Sequence, residues 1–410
     1  MSGEKKESKL FTPYKLGGVT LRNRTIRSAA FESMGKDYAP TQQLRDYHVN
    51  VAKGGIGMTT LAYASVSRSG LSFKSQLWMR SEIVPALKEI TDAIHAEGAA
   101  ASIQLGHCGN MTHFSTAGQI PISASAGINL YSPTIVRRAR RSELQKIAMD
   151  FGAAVRLAHE AGFDCVEIHA GHGYMISQFL SPLTNRRRDE FGGTLENRMR
   201  FLRMCLAEVM RAKEETGIAV LVKHNMYDGL RCGIQVPESI EIAKVIESYG
   251  VDGLVLSGGF VSRTPMLVMR GAMPVKTLTY YMKNPLLKIG VKMAGWLMMR
   301  PYPWSECYFL EDAEKFRAEL KCPLVYVGGI VSREGADRAL DAGFEMVQMA
   351  RCLVAETDFV NRMKAEGEGC RSICDHRNYC IGRMYSVDMQ CYRNCPDLPR
   401  KLQREIEKQP

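Results

Sequence analysis

The sequence predicts an α/β protein, a (β/α)8 TIM barrel with a short cysteine-rich C-terminal extension, and three observations carry that prediction. Eight short runs rich in branched and apolar residues recur along the chain, with longer stretches of helical periodicity between them. Polar, small or cationic residues stand at the carboxyl ends of those runs. No GxGxxG follows the first run, which counts against a doubly wound open sheet, the other fold that such an alternation allows.

In chain order the strands are RTIRSA (24–29), GIGMTTL (55–61), AAASIQL (99–105), FDCVEIH (163–169), AVLVKH (219–224), DGLVLS (252–257), PLVYVG (323–328) and EMVQMA (345–350). Between them, SEIVPALKEITDAIHAEG, SELQKIAMDFGAAVRLAHEAG, LENRMRFLRMCLAEVMRAKEETG and ESIEIAKVIESYG space their apolar residues by three and four. Each of the four ends at a glycine suited to closing a helix. The predicted organisation is a barrel over 1–362, with an insert at 260–320 after the sixth strand acting as a lid, and a tail over 363–410.

A barrel of this kind does its chemistry where the strands end. The residues there are Ser28 and Ala29, Tyr63, Gln104 with His107, His169 with His172 and Tyr174, Lys223 with His224, Ser257 to Gly259, Gly328 with Gly329, and Ala350 with Arg351. Strands seven and eight end in VGGI and MAR, where backbone N–H groups and Arg351 suit a phosphate. The glycine pair by itself reads equally well as a tight turn.

The HAGHGY stretch admits three readings. A zinc site needs three or four ligands, and His169 with His172 supplies only two. Packed core histidines are the second reading, set against a polar strand end followed by Gly173. Hydrogen bonding to a bound substrate is the third.

Composition narrows the partners. With 45% hydrophobic residues the chain can bury a large core, and the opening MSGEKKESK lacks the apolar run of a signal peptide. A soluble, cytoplasmic protein is expected. The net charge of +11 favours anionic partners, and it is unevenly placed: Gly258 to Ser305 holds no acidic residue but contains Arg263, Arg270, Lys276, Lys283, Lys288, Lys292 and Arg300. That insert is also methionine-rich and carries Trp296 and Trp304. It suits a helical lid, a dimer contact, a membrane face, or a site for an amphipathic anion such as an acyl-CoA. No nucleic-acid motif is present. Seven of the twelve cysteines are scattered singly and read as reduced core thiols, while Cys370, Cys374, Cys380, Cys391 and Cys395 crowd into the tail.

Taken in order, KLFTPYKLGGVTLRNRTIRSA, IQLGHCG, AGFDCVEIHAGHGYMISQFLSPLTNRRRDEFGGTLENRMRF, VLVKHN, GVDGLVLSGG, VYVGGI and VQMAR resemble the Old Yellow Enzyme family, in particular the NADH:flavin oxidoreductases related to the barrel part of 2,4-dienoyl-CoA reductase. The resemblance covers roughly the first 360 residues. It implies FMN across the barrel mouth, with Ser28, Ala29, Ala30 and Tyr63 contacting the flavin, Gln104 on the pyrimidine edge and Lys223 near N1 and O2. The phosphate would lie by Gly328, Gly329, Ala350 and Arg351. It further implies NAD(P)H as co-substrate and an α,β-unsaturated carbonyl compound as acceptor, in a ping-pong cycle. His169 and His172 would hydrogen-bond the substrate oxygen and Tyr174 would protonate Cα.

The sequence departs from the family at Phe31, where relatives often have cysteine or threonine, and at Lys223, where many have arginine. In the RRRDEFGG segment, Asp189 is expected to hold an arginine. The tail departs further. Relatives with a [4Fe-4S] cluster show closely spaced triplets and a fourth cysteine, but here Arg377 stands between Cys374 and Cys380 where a ligand is wanted, with Cys391 following. Cys370, Cys395 or His376 could complete an iron or zinc site, or the thiols simply pack. A metal-dependent barrel hydrolase using the two histidines and a non-catalytic barrel binding an anionic partner remain the alternatives, with homo-oligomer formation open.

Overall fold

A computed structural model describes residues 8–129, 134–298 and 301–408, with the side chains of 294 and 296–298 left out. Arg300 and the Trp296 side chain therefore lie outside the described residues, as does most of the polar leader.

The eight predicted runs become the eight parallel strands of one closed barrel. They are β1 (Thr25–Arg27), β2 (Met58–Ser65), β3 (Ala100–Gly106), β4 (Cys165–His169), β5 (Ala219–Asn225), β6 (Gly253–Ser257), β7 (Leu324–Val327) and β8 (Met346–Met349). Each is followed by a helix on the outside: α1 (Gln42–Lys53), α2 (Val84–Ala96), α3 (Arg141–Glu160), α4 (Leu195–Thr216), α5 (Val236–Ser248), α6 (Leu310–Glu319), α7 (Arg333–Asp341) and α8 (Phe359–Glu366). Strands buried on both faces read as unbroken apolar runs, which is why they stand out in the sequence. The barrel closes through β8 and β1, with Gln348 opposite Ile26 and Met349 opposite Arg27.

An antiparallel hairpin, Tyr14–Leu16 with Val19–Leu21, plugs the amino-terminal end. Its Leu16 and Leu21 join Ile26, Met58, Leu221 and Val325 in a separate apolar cluster inside the barrel. The stable end of the barrel is thus filled with hydrocarbon, and polar groups are left for the other end.

Three features differ from the sequence reading. Strand β2 runs on to Ser65 past a bulge between Leu61 and Ala64, so Tyr63 stands within the strand. A small sheet of Ile122–Ser123, Gly127–Asn129 and Thr134–Arg138 occupies the β3–α3 connection. Among the seven scattered cysteines, Cys232 is exposed and Cys322 half-buried, so these two are not core thiols. Both sit in short connections rather than on a packed face.

The segment after β6 forms three helices, Pro265–Met269, Val275–Tyr281 and Pro285–Met298, before α6 returns to the barrel. The tail packs on it: the hydroxyls of Tyr281 and Tyr379 lie 2.7 Å apart, and Arg383 donates to Tyr281 at 2.9 Å. Tail residues Cys380, Ile381 and Met389 form an apolar cluster with Ala30 and Met269 packed against it. The cysteine-rich extension is therefore built onto the barrel mouth.

Candidate active site

At the carboxyl end of the strands a buried polar network links four barrel strands and the residue that follows β1. Glu167 of β4 is fully buried, and its carboxylate lies 2.8 Å from Lys223 Nζ. It also accepts hydrogen bonds from Gln104 and Gln348, each at 2.7 Å. Ser28 donates to Gln348 at 2.9 Å, and Lys223 donates to Ser28 at 3.3 Å. Sheet register explains the meeting, since Gln104 pairs with Glu167 and Lys223 pairs with His169 on adjacent strands. A buried ammonium would be costly alone; here the carboxylate and its amide partners offset the desolvation. Sequence reasoning singled out Gln104, Lys223 and Ser28 but missed Glu167 and Gln348, although both alternate with residues it did mark.

Above this network the three aromatic candidates converge. The ring centroids of His169 and Tyr174 are 4.6 Å apart, those of His169 and His172 5.2 Å, and Tyr63 meets Tyr174 edge-on at 5.1 Å. His169 Nδ1 accepts the Gly171 N–H at 3.4 Å, which leaves the proton on Nε2. His172 adopts a left-handed backbone conformation with φ of 57°. Asn225 holds it there by accepting its N–H at 2.9 Å, and its Nε2 lies 2.7 Å from the Ser257 hydroxyl. Gly173 is required beside it, because a Cβ at that position would meet the Phe260 ring at 2.2 Å.

Burial sets the protonation of these groups. Desolvation, then the nearby His172 and Lys223, holds His169 well below the usual imidazole range. Desolvation and Lys223 bring His172 down to about 3. Burial, with Tyr385 and Cys108 nearby, pushes the Tyr174 phenol well up. At neutral pH the site presents two uncharged imidazoles and a protonated phenol.

One cavity runs from His172 to the ends of β7 and β8, and it gathers most of the predicted cofactor residues. Ser28, Ala29, Ala30, Lys223, Gly328, Gly329, Ala350 and Arg351 all line it, as does His172. Tyr63, Gln104, His169 and Tyr174 are not among its lining residues; Gln104 is linked to it through Glu167, which contacts the lining Lys223 and Gln348, and the other three through the contact of His169 with His172. Gly329 has φ of 78°, and a Cβ there would stand 2.7 Å from the Tyr308 ring, so the turn admits only glycine. A larger groove, by Val66, Trp78, Ile147 and Leu157, contains none of these residues.

The tail brings two residues to Arg351 and this end of the cavity that sequence reasoning did not place there, of which His376 lines the cavity and Asn378 holds Arg351. Asn378 bridges three groups: it accepts from Arg351 Nη1 at 2.6 Å and donates to the carbonyls of Arg270 and Ala272, each at 2.8 Å. His376 lines the cavity, stacks on Trp304 at 3.8 Å, and has a buried Nε2 without a hydrogen-bond partner. Burial and Arg351 lower this imidazole to about 3.

The tail thiols separate into two groups. Cys374, Cys380 and Cys391 line one small cavity together with Arg351, His376 and Arg377. Cys370 and Cys395 do not: Cys370 lies by Glu366, and Cys395 donates to Asp397 at 2.9 Å. Among the described residues no group of three or more His, Cys, Asp or Glu side chains is placed to hold a metal ion. Desolvation raises Cys380 to about 12 and Cys391 to about 11, so both are protonated thiols. In the RRRDEFGG segment, Arg187 is buried and held by Asp189 at 2.7 Å while donating to the Ala124 and Ala139 carbonyls. It is a structural residue.

Comparison with known proteins places this geometry. The chain is 35% identical over 378 residues to a 4,4'-dithiodibutanoate disulfide reductase of Rhodococcus erythropolis, covering 92% of this chain and 93% of that protein. It is 36% identical over 264 residues to an NADPH dehydrogenase of Listeria welshimeri, covering 63% of this chain and 76% of the relative. In fold it resembles the Old Yellow Enzyme homologue of Zymomonas mobilis, with a TM-score of 0.72 at 23% identity over 95% of this chain and 99% of the other. It also resembles a 2-naphthoyl-CoA reductase, with a TM-score of 0.79 at 22% identity, covering 93% of this chain but only 56% of that longer one. The sequence pattern of the NADH:flavin oxidoreductase / NADH oxidase family matches residues 9–294, so the chain belongs to that family and is an NAD(P)H-dependent oxidoreductase of the Old Yellow Enzyme type.

Proposed function

We propose that the protein is an FMN-dependent ene-reductase that uses NAD(P)H to reduce small activated alkenes: enones, enals or enoyl thioesters. The observation that carries this reading is the convergence of His169, His172 and Tyr174 beside the buried Lys223–Glu167 pair. Bound FMN supplies a reversible acceptor and donor of hydride. The residues present fit that group: Gly328 and Gly329 leave room for a phosphate, Arg351 brings charge, and His376 offers an unpartnered nitrogen. Ser28, Ala29, Ala30, Tyr63, Gln104 and Lys223 hold the ring, while Ala350 completes the phosphate end.

His169 and His172, neutral at working pH, donate hydrogen bonds to the substrate oxygen as negative charge develops there. Tyr174 keeps its proton until Cα requires it. Lys223 stabilises negative charge on the ring side of the site, and Glu167 limits how strongly it does so. A partly exposed aromatic wall, in which Phe31 stacks on Phe73 at 4.9 Å and Phe73 meets Tyr385 at 5.8 Å, suits a flat conjugated substrate. No electron path is assigned to the tail thiols, because Arg377 stands where a fourth ligand is wanted and Cys370 and Cys395 face other partners.

The near full-length likeness to a disulfide reductase favours a second acceptor in the same site. Hydride delivered to one sulfur of an organic disulfide breaks the S–S bond, and the departing thiolate takes its proton from Tyr174, giving two thiols. Purified protein is first examined anaerobically for heat-releasable FMN that bleaches with NADPH or NADH. The reduced enzyme is then mixed with a cyclic enone, an enoyl-CoA, or a dicarboxylate disulfide. Reoxidation by the enones supports the main reading; reoxidation by the disulfide alone replaces it with the second. A protein that neither contains nor takes up FMN sinks both.

A further inference from the structure

The helix Pro285–Met298 turns an apolar face outward. Leu286 is 79% exposed, Ile289 55% and Met293 72%, and their spacing of three and four puts them on one side. On the opposite side Lys288 and Val291 are half-buried and Gly295 is buried. This reverses the usual arrangement, in which a surface helix hides its hydrocarbon. Exposed Lys283 and Lys292 flank the stripe, and no acidic residue occurs anywhere from Gly258 to Ser305.

We propose that this helix docks the protein on an anionic lipid bilayer. It lies in the headgroup plane, with Leu286, Ile289 and Met293 entering the acyl boundary and Lys283 and Lys292 resting on the lipid phosphates. At 14 residues it is too short to cross a membrane, and no described helix is long and apolar enough to do so. Charge decides against a second copy of the chain as the occupant. A two-fold contact through this face would set the same lysines against each other, with no acidic residue in the segment to neutralise them. A negative headgroup surface meets the same cations favourably. The segment leaves the barrel after β6 and rejoins it before α6, at the end that carries the active site, so docking brings that end to the lipid.

The test is sedimentation of the flavin-loaded protein with phosphatidylcholine vesicles, with and without phosphatidylglycerol. Binding is expected only where phosphatidylglycerol is present, and it weakens as salt rises. The combined Leu286→Asp, Ile289→Asp and Met293→Asp variant is expected to lower the bound fraction by about tenfold, and Lys283→Glu with Lys292→Glu to do the same. Both keep flavin content and turnover of a water-soluble acceptor, which shows that they fold. Absence of binding to the anionic vesicles, or equal binding by the variants, overturns the proposal. So does a dimer in analytical ultracentrifugation that the aspartate variant converts to monomer.

Discussion

The guanidinium of Arg351 donates a 2.6 Å hydrogen bond to the side-chain oxygen of Asn378, joining the end of the last barrel strand to the cysteine-rich tail. The same amide donates to the Arg270 and Ala272 carbonyls, so one buried side chain fixes Arg351, the β6–α6 segment and the tail together.

Replacing Asn378 with Ala removes three hydrogen bonds to half-buried partners, of which the Arg270 carbonyl keeps its bond from Arg351; each lost bond is worth about 1 kcal/mol. FMN affinity is expected to weaken by roughly 10- to 100-fold. Fluorescence titration of flavin-stripped protein measures it, and an unchanged dissociation constant would remove Asn378 from cofactor binding.

His376→Ala deletes the unpartnered ring nitrogen that lines the same cavity. FMN is expected to bind several-fold more weakly while riboflavin, which lacks the phosphate, binds as before. Equal loss for the two would mark His376 as a packing residue for Trp304.

Tyr174→Phe keeps the ring contacts with Tyr63 and His169 but removes the acidic proton. Alkene reduction is expected to slow by about 10²- to 10⁴-fold, with flavin reduction by NAD(P)H little changed. Rapid-mixing measurement of the two half-reactions separates them. Because the phenol is raised by burial, the wild-type oxidative half-reaction should show no loss from Tyr174 ionisation up to about pH 9.

Glu167→Gln leaves the buried Lys223 without its carboxylate partner. The flavin midpoint potential is expected to rise by about 30 mV or more, since about 30 mV corresponds to 1.4 kcal/mol for two electrons. Equilibration with a reference dye reads the shift. A fall in potential would contradict the role given to this pair.

Stability should fall in mild acid. His107 and His172 stay neutral in the folded chain down to about 3 and His224 down to about 4, all through burial, whereas unfolded histidine protonates near 6.5. Between those values the unfolded state binds more protons, so stability drops as pH falls below about 6.5 and is level above it. His95, raised by its bond to Asp164, acts in the opposite sense and offsets a part. Tm measured across this range checks the sign.

Much of the barrel was legible because each strand is buried on both faces and several helices close at a glycine. Gly98, Gly162, Gly217 and Gly250 all have positive φ, as the helix-end reading requires. Tyr63 was placed just past the end of the second strand because a bulge carries β2 beyond its apolar run. The small sheet after β3 was missed because its strands are short and leave Ile128 and Ile135 exposed, without clean alternation. At the site, strand-end position marked Lys223, His169 and Gln104. Glu167 and Gln348 escaped because their role rests on cross-barrel contacts, and Asn378 escaped because two of its partners, the Arg270 and Ala272 carbonyls, lie about a hundred residues away.

The order of synthesis gives the tail a further meaning. Barrel residues through β8 leave the ribosome before His376 and Asn378, so a nascent chain folded to Met349 still lacks the tail contacts at the β8 end of the cavity. Capture of the proposed cofactor then becomes a late event in biogenesis, completed only when the segment around His376 and Asn378 is free to fold back. On the proposed reading, chains stalled or clipped before His376 would form the barrel yet hold flavin more weakly, which makes bound flavin a reporter that synthesis has passed these tail contacts.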